Sequence, residues 1–396
     1  MMRVTNTMLF KTGALAMQNQ QQEILKVQEQ SVSGNRTNRP SDDPSGIYRH
    51  MVFSSDLSGV QSLKKTTQSA AERLTMADSH MSQMHDALLD AQDLVLQYGE
   101  SMVGGNPTIL TAAAQKPMAW YQDMISSANT ELDEVPLFGG GKLRSPFSDK
   151  NLMATTVQVK SVDGKTLTSA GTGFTASLTD GQTPTDVPWS VKISYLAASN
   201  QYQANVNGVE QPATALDANG QLDLGQGVKF TVTGTPKTGD SYYFEVIPKY
   251  QGGGEDRPIR VQQGSILPGN VTGSELLEGT GDYGRGVNIL GAMAALRGAL
   301  LRADPKEVAL QLNRVQEARA QVSDLQGVTG IRNTQVQAVT ATLESDESSL
   351  TKVRADNVEA DMFSVLSNLE QASQAMQVMT ATQRQVMNTS LLDFIR

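Results

Sequence analysis

Few side chains in this sequence could do chemistry on their own. There are three histidines, His50, His80 and His85, and no cysteine. Without cysteine there are no disulfides, thiolate nucleophiles or thiolate-bound metals. His80 and His85 lie five positions apart, whereas two ligands on one helical face need a spacing of four. With Met81 and Met84 between them they read as histidines at the edge of a helix bundle. Gly279, Gly281 and Gly284 spell Gly-x-Gly-x-x-Gly. A dinucleotide site needs a strand before the first glycine, and Ser274 to Glu278 has no strand pattern. Asp304 stands at a tempting distance for a ribose-binding acid, but it precedes Pro305 and reads as a helix cap. The glycines are therefore expected to form a linker. Gly141-Lys142 lacks the frame of a phosphate loop, and no nucleophile elbow or paired carboxylates stand out. This reading gives no catalytic residue, no cofactor, no metal site and no enzyme.

Composition narrows the classes further. The chain has 396 residues, 32 basic and 41 acidic, for a formal charge of −9. A generic nucleic-acid binder carries the opposite sign, because it must neutralise phosphates. The best apolar run, Val287 to Leu296, ends at Arg297, well short of the roughly 20 residues of a membrane-spanning helix. No nucleic-acid partner and no membrane insertion are expected. The first residues, Met1-Met2-Arg3-Val4-Thr5-Asn6-Thr7, contain no apolar core of a secretory signal.

The elements fall into three regions. Residues 136 to 286 hold 23 of the 34 glycines and 9 of the 14 prolines, so this stretch is rich in turns. Between the turns lie β-branched and aromatic runs at Thr155–Lys160, Trp189–Tyr195, Tyr202–Asn207, Val228–Thr233 and Ser241–Ile247. Val191, Ile193 and Tyr195 alternate with Lys192 and Ser194, the pattern of a half-buried strand. Asn207-Gly208 suits a turn with positive φ. An all-β module is expected, with Gly139–Gly141 and Gly252–Gly254 as connectors.

Both flanks read as long helices. Val60, Leu63, Thr67, Ala70, Leu74, Ala77, Met81, Met84, Leu88, Ala91, Val95 and Tyr98 alternate at spacings of three and four, a sustained heptad seam. Gly99 follows as a stop. A further helix is expected from Pro117 towards Glu134. After Gly330 there is neither glycine nor proline, so residues 331 to 396 read as one unbroken run. Within it Val358, Met362, Val365, Leu369, Ala372, Met376, Met379, Gln383 and Val386 repeat the seam. A weaker stripe at the N-terminus passes through Phe10, Ala14, Met17 and Ile24, with Leu25 and Val32 beside it. One amphipathic stripe cannot bury itself, so the two flanks are expected to pair and leave the β module as an insertion. The fold class is mainly α with a β insertion.

One segment is more specific. Ser33-Gly34-Asn35-Arg36-Thr37-Asn38-Arg39-Pro40-Ser41-Asp42-Asp43-Pro44-Ser45-Gly46-Ile47 joins two helical stretches. Gly34 can end the first; Ser41, Asp42 and Asp43 can cap the second, with Pro44 in its first turn. The string closely resembles the joint of the bacterial flagellin family, roughly Ser-Gly-x-Arg-Ile-x-x-x-x-Asp-Asp-Pro-Ala-Gly. Gly330-Ile331-Arg332-Asn333 is similar to the family's Gly-Ala-Arg-x-Asn-Arg turn, with Ile331 where small residues are usual. Met2-Arg3-Val4-Thr5 and the ending Ser390-Leu391-Leu392-Asp393-Phe394-Ile395 resemble the hook–filament junction branch of that family more than its filament subunits. The likeness covers residues 2 to 135 and 287 to 396, and excludes the β insertion.

The resemblance implies a flagellin-like architecture in three parts. A terminal coiled-coil domain from residues 1–45 and 356–396 would line a tube. A helical rod would take residues 46–142 and 276–355, and an outer β domain residues 143–275. Ser41, Asp42, Asp43 and Pro44 would form the inter-domain joint. Val358, Met362, Val365, Leu369, Ala372, Met376, Met379 and Val386 would form the assembly stripe, meeting neighbouring subunits. The implied function is a structural adaptor between hook and filament, secreted to the flagellum through the flagellar type III export apparatus. Its implied partners are the first hook-associated protein, flagellin, further copies of itself in a ring, and a cytosolic export chaperone on the C-terminal helix. A filament subunit is the nearest alternative. A secreted adhesin or enzyme with a glycan-binding β domain is another, with Trp189, Tyr195, Tyr202, Tyr242 and Tyr243 as stacking faces.

Overall fold

A computed structural model describes residues 6–39, 43–99, 106–156, 173–179, 184–233, 235–236, 240–262 and 265–394. The helices are α1 (Asn6–Ser33), α2 (Pro44–Gly99), α3 (Pro107–Ala113), α4 (Gln115–Ala128), α5 (Ile289–Leu301), α6 (Pro305–Leu310), α7 (Leu312–Val358) and α8 (Met362–Phe394). The strands are β1 (Glu131–Leu132), β2 (Val135–Pro136), β3 (Leu152–Thr156), β4 (Gly173–Leu178), β5 (Trp189–Leu196), β6 (Gln201–Val206), β7 (Val209–Glu210), β8 (Gln221–Asp223), β9 (Val228–Thr233), β10 (Ser241–Pro248), β11 (Pro258–Gln262) and β12 (Ser265–Pro268). The fold is mainly α with a β insertion, as the sequence predicts. The chain divides into two compact units, residues 1–65 with 341–396, and residues 66–340.

In the 66–340 unit the heptad seam of α2 is buried from Thr67 to Val95, with Leu74, Met81 and Leu88 fully enclosed. Its polar member, Thr67, meets the Thr340 hydroxyl of α7 at 3.2 Å. The facing seam on α7 is Val315, Ala318, Val322, Leu325, Thr329, Arg332 and Val336, all buried. The Val287–Leu296 run lies in α5, which is buried nearly all round, the usual place for a helix apolar on every side. Two helix boundaries differ from expectation. The helix expected to reach Glu134 ends at Ala128, and a β1–β2 hairpin follows. Asp133 and Glu134 adopt positive φ there, and Arg73 donates to the carbonyls of Leu132, Val135 and Pro136. The other difference lies in the run from 331, which breaks between Val358 and Met362. No glycine or proline marks that break; Asp361 makes it by capping the Phe363 N–H at 3.0 Å.

The β segment is a two-layer sandwich. An antiparallel sheet in the order β3-β10-β5-β6-β7 faces a smaller sheet β4-β9-β8. Val191, Ile193, Tyr202, Tyr242, Phe244 and Val246 of the first pack on Leu222, Val228 and Phe230 of the second, with Phe230 stacked on Phe244 at 6.1 Å. Side chains alternate across a strand, so Tyr243, Glu245 and Ile247 of β10 point the other way, onto the helices. Ile247 joins the helical core. Glu245 takes a forked pair of bonds from Arg314 at 2.9 and 3.3 Å and one from the Thr155 hydroxyl at 2.8 Å. Beside it, Glu307 of α6 accepts from Arg302 at 2.7 Å, from Tyr243 at 3.0 Å, and from Lys192 of β5. Lys192, read from its alternation as a solvent-facing residue, therefore serves this inward network. Gly298 is required at the same contact, because a Cβ there would collide with the Ser190 side chain.

Burial raises the Glu307 carboxyl, but the Arg302 and Lys192 charges outweigh it and hold the group below its ordinary value. A depressed folded pKa stabilises the fold above the ordinary carboxylate range, and that contribution is lost as pH falls through the acid range. Removing one partner of a buried ionic cluster strands the others. Glu307→Ala should therefore cost about 3–5 kcal/mol of unfolding free energy. Asp324→Ala, which breaks the exposed 2.7 Å pair with Arg285, should cost less than about 1 kcal/mol. Thermal and denaturant melts of the two variants measure the difference. Glu307→Gln should also show a shallower loss of stability on acidification than the wild type.

Candidate assembly surface

The 1–65 with 341–396 unit contains the joint and the stripe. Gly34 ends α1 in the left-handed region at φ +69, its N–H bonded to the Gln30 carbonyl at 2.9 Å. Asp43 caps α2: its Oδ1 accepts from the Gly46 N–H and the Ser45 hydroxyl, each at 2.9 Å, and Pro44 is the first helical residue. The Gly46 N–H and Ser45 bonds, helped by nearby Arg36, hold the Asp43 carboxyl below its usual range. Ser41 and Asp42 lie outside the described residues. Facing this joint is the break between α7 and α8. Asn35 and Glu359 form an antiparallel bridge, and the Ala360 N–H donates to the Gly34 carbonyl at 2.9 Å. The two interruptions in the helices are thereby tied to each other. Lys64 adds ion pairs to Glu347 at 3.0 Å and Glu344 at 3.6 Å.

The predicted stripe pairs with the N-terminal flank, as the amphipathic pattern leads one to expect, and not with a neighbouring subunit as the resemblance implies. Helices α1 and α8 pack together within the chain. Val365 and Ala372 are buried, and Leu369, Met376 and Met379 are half-buried. Gln20 reaches the Ala372 carbonyl at 3.2 Å, and Gly13 lies against Gln383, with no room for a Cβ. The seam is thus covered by α1 rather than left open for a neighbouring subunit. The physical reason is that α1 presents a matching face through Met17, Ile24 and Val27. Met362 remains exposed, and the side chains of Val358 and Val386 lie outside the described residues.

What the pairing leaves outside is a second apolar set that the seam count did not identify. On α1, Leu15 and Leu25 are exposed and Val32 is 90% exposed; on α8, Leu366 and Val378 are exposed and Phe363 is 84% exposed. Tyr48 and Met51 at the start of α2 are exposed too. The sequence signal was available, since Phe363 and Leu366 stand beside the seam residues Met362 and Val365. A surface of this kind usually marks an interaction site.

Three other expectations resolve on the geometry. Gly330, Arg332 and Asn333 do not form a turn; they lie inside α7. The Thr329 and Thr334 hydroxyls both bond back four residues within the helix, so nothing there breaks the ladder. Arg332 is buried and donates to the Asn270 carbonyl and to Asp256 at 3.0 Å, while Asn333 reaches the Thr75 hydroxyl at 3.4 Å. Gly279 caps a single π turn, Ser274–Glu278, at φ +70. Gln321 then pins the glycine loop, donating to Leu276 and Val287 and accepting from the Arg285 N–H. The proposed stacking faces are mostly internal. Trp189, Tyr202, Tyr242 and Tyr243 are buried, and Tyr195 is half-buried with its hydroxyl on Asn200 at 2.9 Å. This removes the aromatic platform of the glycan-binding reading. Among the described residues no cluster of three His, Asp or Glu side chains is placed to hold a metal, and no helix is long and apolar enough to cross a membrane.

Comparison with known proteins agrees with this geometry. Residues 4–140 match the family model of the bacterial flagellin N-terminal helical region. A candidate flagellar hook-associated protein from Vibrio parahaemolyticus shares the fold of this chain, with a TM-score of 0.50 at 14% identity, over 80% of this chain and 100% of that one. FlgL from Xanthomonas campestris aligns at a TM-score of 0.38 and 16% identity, over 76% and 99% of the two chains. The flagellar junction protein FlgL from Legionella pneumophila aligns at 0.33 and 13%, over 73% and 99%. No curated protein sequence matches the chain.

The covered and exposed faces of α8 can be separated by substitution. Val365→Asp places a carboxylate in the α1–α8 contact, where burial without a partner costs several kcal/mol or forces protonation. It should loosen both terminal helices, read as lost helical circular dichroism and faster trimming of both chain ends by protease. Phe363→Asp should leave the monomer unchanged within about 0.5 kcal/mol, since its side chain is already in water.

Proposed function

We propose that this flagellin-type chain is a non-enzymatic structural component of the bacterial flagellum, acting as the adaptor between hook and filament. The observation that carries this is the terminal unit. Its first and last helices cover each other along one seam yet keep Leu15, Leu25, Val32, Phe363 and Leu366 exposed on a second face. A face of this sort suits lateral packing between copies of the chain in a ring. The first hook-associated protein would bind on one side of that ring and flagellin on the other. Secretion through the flagellar type III export apparatus, with a cytosolic chaperone on α8, belongs to the same proposal. So does the division into a terminal domain of residues 1–45 and 356–396, a rod of 46–142 and 276–355, and an outer β domain of 143–275.

Support for the junction over a filament subunit comes from the Met2-Arg3-Val4-Thr5 start and the Asp393-Phe394-Ile395 ending. The fold shared with a candidate hook-associated protein points the same way. Deleting the gene in a motile strain should give hooks without filaments and flagellin monomers in the medium. Wild-type protein added to such hooks should restore filament growth, and Phe363→Asp should not. Normal filaments in the deletion strain would overturn the assignment.

A further inference from the structure

The chain contains two Asn-Gly steps among the described residues, and the structure treats their asparagine side chains in opposite ways. Asparagine is one of the thermolabile residues, and a following glycine leaves its own amide nitrogen unhindered and its backbone free to rotate. At Asn207-Gly208 the asparagine side chain is clamped. Its Oδ1 accepts from the Ser190 N–H at 2.9 Å and its Nδ2 donates to the Pro188 carbonyl at 3.1 Å. The Gly208 N–H is engaged by Asn205 Oδ1 at 2.9 Å, and a Cβ on Gly208 would press on the Leu301 carbonyl at 2.8 Å. Asn219-Gly220 sits at the tip of the turn before β8. There Asp217 Oδ1 accepts from the N–H groups of Asn219 and Gln221, each at 2.8 Å, and the Gly220 N–H donates to the Asp217 carbonyl at 3.0 Å, so the two sites differ in the asparagine side chain and not in the glycine N–H. The Asn219 side chain is exposed, has no hydrogen bond among the described residues, and is followed by a glycine with nothing within 4 Å of where a Cβ would stand.

We propose that Asn219 is a site of spontaneous covalent modification, in which the side-chain amide is lost and isoaspartate accumulates, while Asn207 is protected by the fold. The Gly220 amide nitrogen attacks Asn219 Cγ and gives up its proton. The Cγ–Nδ2 bond breaks and ammonia leaves, closing a five-membered imide. Solvent water then adds to either imide carbonyl. Opening at Cγ gives aspartate; opening at the main-chain carbonyl gives isoaspartate, with the Cβ inserted into the backbone. No oxidant or reductant is involved. Either product adds one negative charge to the turn. The isoaspartate also lengthens the backbone between the two N–H groups that Asp217 holds, at the entry to the short strand β8.

The test is incubation of the full native chain at mildly alkaline pH, followed by peptide mapping with cleavage after Glu210, which separates the two sites. Native Asn219 should gain about one mass unit and an isoaspartate signal. Native Asn207 should react about tenfold or more slowly, the effect of two retained side-chain hydrogen bonds. In denaturant the two sites should react at similar rates. Asn219→Gln should abolish the signal at that site without shifting the melting temperature. Equal native rates at the two sites, or a native Asn219 that stays intact while the denatured one reacts, would overturn the proposal.

Discussion

A carboxylate with only 4% of its side chain exposed cannot stay charged unless cations surround it, and Glu307 stands where the β sandwich meets the helices. Lys192 comes to it from β5, Arg302 from the end of α5, and the Tyr243 hydroxyl from β10. Glu245 and Arg314 repeat the arrangement between β10 and α7. Lys192–Glu307 and Arg314–Glu245 each have one member on the sheet and one on a helix, while Arg302–Glu307 lies within the helical layer, so the two layers share their buried charges. This explains why compactness groups the sandwich with helices α3 to α6 and parts of α2 and α7. It also explains the small residues at the contact, since Gly291 lies against Arg314 and Gly298 against Ser190. Buried ion pairs add little net stability compared with apolar packing, but they are costly to break singly. They fix which face of β10 meets the helices, while Tyr242, Phe244 and Val246 on the other face build the sandwich core.

The terminal unit obeys a different constraint. Two long helices with modest apolar stripes can bury only one face each against a single partner. In this chain α1 and α8 take each other as partner, and the bridge between Asn35 and Glu359 ties the joint to the break opposite it. The remaining apolar side chains, Val32 and Phe363 among them, stay exposed.

The long helices and strands β5, β6, β9 and β10 were legible because periodicity depends only on the chain's own residues; the strand expected at Thr155–Lys160 overlaps β3 only at Thr155 and Thr156, and residues 157–160 lie outside the described residues. The seam of α2, the caps at Asp304 and Asp43, the stop at Gly34 and the turn at Asn207 all appear where local chemistry places them. The failures have tertiary causes. The break after Val358 is invisible to a search for glycine and proline, because Asp361 and the tie to Gly34 create it. Lys192 looked solvated because its partner, Glu307, lies 115 positions away in the chain. Gly330 to Asn333 matched a turn by likeness, but the buried Arg332 contact with Asp256 keeps it inside a helix. The stripe of α8 and its pairing with the N-terminal flank both followed from pattern; the neighbouring-subunit partner came only from the resemblance.

The most direct measurement of the central claim is the position of the protein on isolated flagella. An epitope tag inserted at the exposed Asn219 turn can be labelled with gold and viewed by electron microscopy. The account predicts one band of label per flagellum, at the boundary between hook and filament. Label along the whole filament would make the chain a filament subunit, and label absent from flagella would contradict the structural role altogether.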